Sequence, residues 1–241
     1  MAPRSSSTPT SPPSPTETTI AASEAPVRVA LPRGVVDVDT ATHEPDASPW
    51  ATVLLTHGAG TRFDHPFLLG FADALATAGA RCVRFNLPYA QQGRRVPGPA
   101  AHAMAGWRAV RDAAPDDAPV FAAGRSYGGR MASMAAADGR FDVAGLVYLG
   151  YPLHPPGNPD RLRADHLPAI TAPQLFVSGT RDPFVAPHDQ LERAVASCPR
   201  ARLRWIDGGG HGFEVARHCR PAAQIGVEIA AIAAEWMRAQ V

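Results

Sequence analysis

The sequence predicts an α/β fold built around a mostly parallel sheet with helices on both faces. Three observations carry this. From about residue 27 onward, short apolar runs alternate with longer helical stretches. The runs are nearly continuous in apolar residues rather than alternating with polar ones, as strands covered on both faces require. Glycine, proline and asparagine punctuate the boundaries, so the pattern reads as repeated strand–helix units. With 241 residues, 45% of them hydrophobic, the chain can bury the core of one such domain.

The elements follow in order. VRVAL (27–31) and GVVDV (34–38), parted by Pro32 and Arg33, predict an initial pair of strands. ATVLLTH (51–57) predicts a buried strand that runs out at HGAG, and ADALATAGA (72–80) a helix that stops at Gly79. RCVRFNL (81–87), a helix around 99–113, PVFAAG (119–124) and a helix over 127–137 come next. VAGLVYLG (143–150), PQLFVSG (173–179), a helix around 188–197 and ARLRWID (201–207) complete the alternation. The last helix, 222–240, places Ile225, Ile229, Ile232 and Trp236 on one face. Ahead of all this, residues 1–25 are rich in Ser, Thr and Pro and lack an apolar segment. They are expected to form a disordered tail, neither signal peptide nor membrane anchor, leaving 26–241 as a single domain.

A formal charge of +1 with scattered arginines gives no ground for nucleic-acid or anionic-membrane partners, and no apolar run is long enough to span a bilayer. His43 is expected in a polar loop. Cys82, Cys198 and Cys219 are widely spaced and odd in number, which suggests neither a disulfide framework nor a zinc site and fits a reducing, cytoplasmic setting.

Chemistry enters at Gly124-Arg125-Ser126-Tyr127-Gly128, which fits G-x-S-x-G between a predicted strand and a predicted helix. Such a turn is so sharp that its flanking positions must lack bulk, and it lifts the serine hydroxyl above the sheet. A hydroxyl needs a base to become a nucleophile. Of nine histidines, His211 has the best placement, on the glycine-rich loop Asp207-Gly-Gly-Gly-His211-Gly-Phe213 after the last strand. His218 ranks second, and His57 reads as structural. An acid must fix the imidazole's tautomer. Asp182 follows the 173–179 strand, whereas Asp207 is close enough to His211 to brace its loop instead. The oxyanion donors are expected to be the backbone N–H groups of Tyr127 and Ala59, the latter in Thr56-His57-Gly58-Ala59-Gly60. Phe184, Phe213, Tyr89 and Tyr151 are candidate substrate contacts. Arg125 and Arg181 suggest an anionic substrate group, although surface or supporting ion pairs account for them more simply.

With the order Ser126, Asp182, His211, the chain resembles the α/β-hydrolase superfamily and its lid-less, dienelactone-hydrolase-like branch. The resemblance is closer to a small family of hydrolase-like proteins that also supplies a domain of a chromatin acetyltransferase complex subunit. THGAG (56–60), FNLPYAQQGRR (85–95), GRSYGGRMAS (124–133), YPLHPPGNPDRLR (151–163), HLPAI (166–170), LFVSGTRDPF (175–184) and GGGHGF (208–213) carry it. It implies the α/β-hydrolase fold and the same three residues as a triad. Dienelactone hydrolases themselves use a cysteine where this chain has Ser126, so their substrate does not transfer.

The segment between the strands at 143–150 and 173–179 holds six prolines in 152–173 and is too short for a separate lid domain. An uncapped site suits small or medium soluble esters or thioesters. The expected activity is therefore ester hydrolysis through an acyl-enzyme, with no metal and no organic cofactor. The alternative is a catalytically silent binding or interaction protein on the same fold.

Overall fold

Alternate residues of each central strand feed two separate cores, which is why these strands read as unbroken apolar runs. The computed structural model describes residues 22–241. Its elements are β1 (Ala22–Leu31), β2 (Gly34–His43), β3 (Thr52–Thr56), α1 (Pro66–Thr77), β4 (Arg81–Phe85), α2 (Pro88–Gln91), α3 (Ala100–Ala113) and β5 (Val120–Arg125). They continue as α4 (Tyr127–Ala137), β6 (Gly145–Leu149), β7 (Gln174–Gly179), α5 (His188–Ala196), β8 (Ala201–Ile206) and α6 (Ala222–Arg238). One eight-stranded sheet has the order β1-β2-β4-β3-β5-β6-β7-β8. Everything from β4 to β8 is parallel, while β1 and β2 form an antiparallel hairpin that joins β4 antiparallel.

Leu54, Tyr148 and Phe176 point to one face, where Trp107 of α3, Met131 of α4 and Leu191 of α5 cover them. Leu55, Leu149 and Val177 point to the other, against Phe67 and Phe71 of α1 and Ile225 and Ile229 of α6. Ile232 and Trp236, expected with them on the buried face of α6, lie at its margin and are only partly buried. The segment between β6 and β7 holds a short 3-10 turn at Leu167–Ala169, and no separate lid domain is present among the described residues.

Three expectations need correction. The first strand begins at Ala22 rather than Val27, so residues expected in the tail pair with β2, Ala25 opposite Thr40 and Glu24 opposite Ala41. As the edge strand, β1 needs no apolar run on both faces. Residues 1–21 of the expected tail lie outside the described residues. His43 is not in a loop: it ends β2 and is buried, with Nδ1 2.8 Å from Asp73 Oδ1 and Nε2 accepting from Arg84 Nε at 2.8 Å. Helix α1 starts at Pro66, ahead of the expected stretch, with Gly70 inside it.

That glycine has a packing reason. A Cβ built on Gly70 would stand 2.1 Å from the Ala223 carbonyl oxygen, and one on Gly226 would stand 2.1 Å from the Phe67 carbonyl oxygen. Helices α1 and α6 therefore cross backbone to backbone, and their contact seals one core. An exposed helical Gly→Ala change normally stabilises by about 1 kcal/mol. Here Gly226→Ala is expected to destabilise by about 1–3 kcal/mol through overpacking. Urea unfolding checks this, and an unchanged or raised midpoint would contradict the close crossing.

Candidate active site

The site forms at the carboxyl ends of the parallel strands, where open α/β sheets place their ligands. Ser126 joins β5 to α4 with φ 48° and ψ −114°, a conformation that side chains disfavour and that costs about 1–3 kcal/mol. Its N–H donates to the Leu149 carbonyl at 2.9 Å, and its own carbonyl accepts from Arg130 N at 3.0 Å. The turn tolerates no bulk beside it. A Cβ on Gly124 would lie 2.3 Å from Gly129 N, and one on Gly128 would lie 2.5 Å from the His57 carbonyl oxygen.

The structure brings Ser126, His211 and Asp182 together from three separate loops. His211 Nε2 lies 2.8 Å from Ser126 Oγ, and His211 Nδ1 lies 2.8 Å from Asp182 Oδ2. A carboxylate can only accept, so Nδ1 carries the proton and Nε2 is left to accept from the hydroxyl. Asp182 is buried, and its second oxygen accepts the Phe184 N–H at 2.8 Å. The Phe184 ring stacks on His211 with centroids 4.1 Å apart, so one residue steadies both the acid and the imidazole. Asp207 is exposed, and its contact is with Thr180 Oγ1 at 3.4 Å, consistent with bracing the loop. His218 is exposed at the start of the approach to α6.

Above the serine lies a cavity of about 580 Å³ lined by Gly58, Ala59, Thr61, His65, Arg125, Ser126, Tyr127, Arg130, Pro152, Arg161, Arg163, Phe184 and His211. Both expected oxyanion donors, Ala59 and Tyr127, border it. Among the described residues neither of their N–H groups donates to a backbone carbonyl. A Cβ on Gly58 would approach Ser126 Cβ to 3.4 Å, so this loop is held directly against the elbow. Among the described residues no group of three or more His, Cys, Asp or Glu side chains could hold a metal ion. No helix among them is long and apolar enough to cross a membrane.

Of the four expected substrate contacts, only Phe184 lines the cavity. Phe213 is fully buried and stacks on Phe67 at 5.9 Å, inside the α1–α6 core. Tyr89 is buried beneath the loop, its hydroxyl donating to the Gly58 carbonyl at 3.3 Å. Tyr151 is fully buried, its hydroxyl donating to the Arg163 carbonyl at 2.8 Å. Each sits next to a site loop in sequence but turns inward, which sequence proximity does not reveal. Arg125 borders the cavity and has no carboxylate within 4.0 Å among the described residues, its guanidinium 5.1 Å from the Phe67 centroid and 3.3 Å from His65 Nε2. Arg181 is exposed and lies outside the cavity lining. Arg130, Arg161, Arg163 and His65 belong to the site and carried no signal in the sequence, because the path of the 151–173 segment over α4 is set by tertiary packing.

Residues 49–237 match the alpha/beta hydrolase domain family, and the chain belongs to it. Two Mycobacterium tuberculosis proteins, each described as a putative phosphoribosyl transferase, are 36% identical over 113 residues. That match takes in 46% of this chain but 23% of each relative, so the chain matches under a quarter of their length. Among solved structures, a dienelactone hydrolase from Anabaena variabilis superposes with TM-score 0.68 at 24% identity, covering 90% of this chain and 97% of that one. A lid-less α/β serine hydrolase from Xanthomonas campestris gives 0.64 at 19% identity, covering 94% and 98%. A thermophilic esterase from Thermogutta terrifontis gives 0.67 at 16% identity, covering 90% and 99%. These likenesses show a shared fold.

His57 supports the loop against the elbow. It is fully buried, its Nδ1 donates to the Gly58 carbonyl at 2.8 Å, and its Nε2 accepts the Leu87 N–H at 3.0 Å. Burial holds its pKa down at about 4. The unfolded chain, with an ordinary histidine near 6.5, therefore binds more protons between these values, and stability falls as pH drops through that window. His57 alone is expected to remove about 2 kcal/mol between pH 7.5 and pH 5. His57→Gln should flatten the pH dependence of urea unfolding by that amount, and an unaltered slope would contradict a neutral buried ring.

Proposed function

We propose that the protein is a serine hydrolase of small or medium carboxylic esters or thioesters. Ser126 is the nucleophile, His211 the general base and acid, Asp182 the orienting acid, and the Tyr127 and Ala59 N–H groups the oxyanion donors. The observation that carries the reading is the pair of 2.8 Å contacts through His211, with Ser126 held on a strained turn at the mouth of a cavity.

In the first half-reaction Ser126 Oγ bonds to the substrate carbonyl carbon as its proton moves to His211 Nε2. The carbonyl oxygen becomes an oxyanion facing the N–H groups of Tyr127 and Ala59. Asp182 balances the imidazolium charge. Collapse breaks the bond to the leaving oxygen or sulfur, which takes the proton from Nε2, and the acyl group stays on Ser126. Water then repeats the sequence, its proton passing to His211 and its oxygen to the acyl carbon, releasing acid and restoring the hydroxyl. The protein supplies every group these steps use, so the reading calls for no cofactor. A small-molecule ester as partner and a cytoplasmic setting belong to the same proposal, the setting supported by three free cysteines, Cys82, Cys198 and Cys219.

Ser126→Ala is expected to lower kcat on a reactive aryl ester by on the order of 10³ or more. The same change should abolish covalent labelling by a fluorophosphonate probe. Undiminished turnover in this variant would end the proposal. A correctly folded wild type that takes up no probe would favour a silent binding protein instead.

A further inference from the structure

The cavity over Ser126 has an unusual electrostatic wall. Arg130 of α4 and Arg161 and Arg163 of the 151–173 segment all line it, and Arg163 lies within the fields of the other two. Among the described residues none of the three has a carboxylate within 4.0 Å, and Arg130 Nε is buried with no hydrogen-bond partner. Several arginines elsewhere are paired with acids. Arg81 meets Asp117 at 2.6 Å and Glu44 at 2.9 Å, Arg108 meets Asp138 at 2.5 Å, and Arg111 meets Asp116 at 2.9 Å. Burial, and then the positive fields of Arg130 and Arg161, hold the Arg163 guanidinium below its ordinary pKa. Gathering three like charges costs free energy unless an anion joins them.

The gathering is built in. The Arg163 N–H donates to the Leu153 carbonyl at 2.8 Å, and its carbonyl accepts the Tyr151 hydroxyl at 2.8 Å. His166 Nε2 contacts Ser133 Oγ of α4 at 2.7 Å, clipping the segment to the helix that carries Arg130. Arg130 stands one turn after Ser126 on the same helix, about 6 Å along its axis. Guanidinium forks match the oxygens of phosphate two at a time. Three of them exceed what a single carboxylate would neutralise.

We propose that Arg130, Arg161 and Arg163 form an anion-recognition subsite, and that the ester cleaved at Ser126 carries a phosphate group about one helical turn from its scissile carbonyl. The substrate class rests on the serine-hydrolase reading above; the subsite itself does not.

The test compares kcat/KM for three butyryl esters that differ in the alcohol: 1-butyrylglycerol 3-phosphate, 4-butyryloxybutanoate and uncharged 1-butyrylglycerol. The phosphate ester is expected to lead the uncharged one by tenfold or more at low ionic strength, with the carboxylate between them and the lead shrinking as salt rises. Equal values, or a lead for the uncharged or the carboxylate ester, would overturn the proposal. In Arg161→Gln/Arg163→Gln the ratio of phosphate to uncharged ester should fall toward one; a retained ratio would also overturn it. Should no ester turn over and no fluorophosphonate label appear, the hydrolase reading fails and the subsite is read alone by calorimetric titration of glycerol 3-phosphate. Binding to the wild type at least tenfold tighter than to the double variant supports the subsite, and absent or equal binding refutes it.

Discussion

The backbone turn at Ser126 is the constraint on which the rest of the site depends. A positive φ on a serine is held only because the surroundings over-determine it. The Leu149 carbonyl takes its N–H from the neighbouring strand, the first turn of α4 takes its carbonyl, and Gly124 and Gly128 pack so closely that neither could carry a side chain. One consequence is that the hydroxyl stands above the sheet rather than in it. A second is that α4 starts immediately after the serine, so Tyr127 borders the same cavity. The HGAG loop, pinned from below by His57 and Tyr89, closes the other side.

Everything else arrives by parallel-sheet topology. Strands β5, β7 and β8 end at the same rim, so residues far apart in sequence, Ser126, Asp182 and His211, emerge side by side. The 151–173 segment has a different role from that of a lid. It lies along α4, fixed through Tyr151, Leu153 and the Ser133–His166 contact, and adds charge to one wall of the cavity. The serine turn and the rim thus hold Ser126, Asp182 and His211 together, while the connector adds Arg161 and Arg163 to the cavity lining.

Much of this was legible in the sequence, for reasons that also explain what was missed. Buried parallel strands are mostly apolar on both faces, so β3, β5, β6 and β7 announce themselves as near-continuous runs, while β4 carries Arg81 and Arg84. Ser126 is flanked by glycines that the turn's geometry demands, and Asp182 and His211 follow strands, which is where such topology delivers them. Pairing at a sheet edge leaves no comparable trace, so nothing in the sequence separates Ala22–Ala25 from the residues before them or marks His43 as buried with Asp73 and Arg84. Side-chain direction on loops is equally silent: Phe184 faces the cavity, whereas Tyr89, Tyr151 and Phe213 face the core. The arginine wall needed the course of the connector, which local sequence does not specify.

The most direct measurement of the central claim is the tautomer of His211, read from the ¹⁵N shifts of its ring at a pH where the imidazole is neutral. A proton on Nδ1, shared with Asp182, and a bare Nε2 accepting from Ser126 are expected. A ring protonated on Nε2, or one whose shifts do not respond to Asp182→Asn, would contradict it.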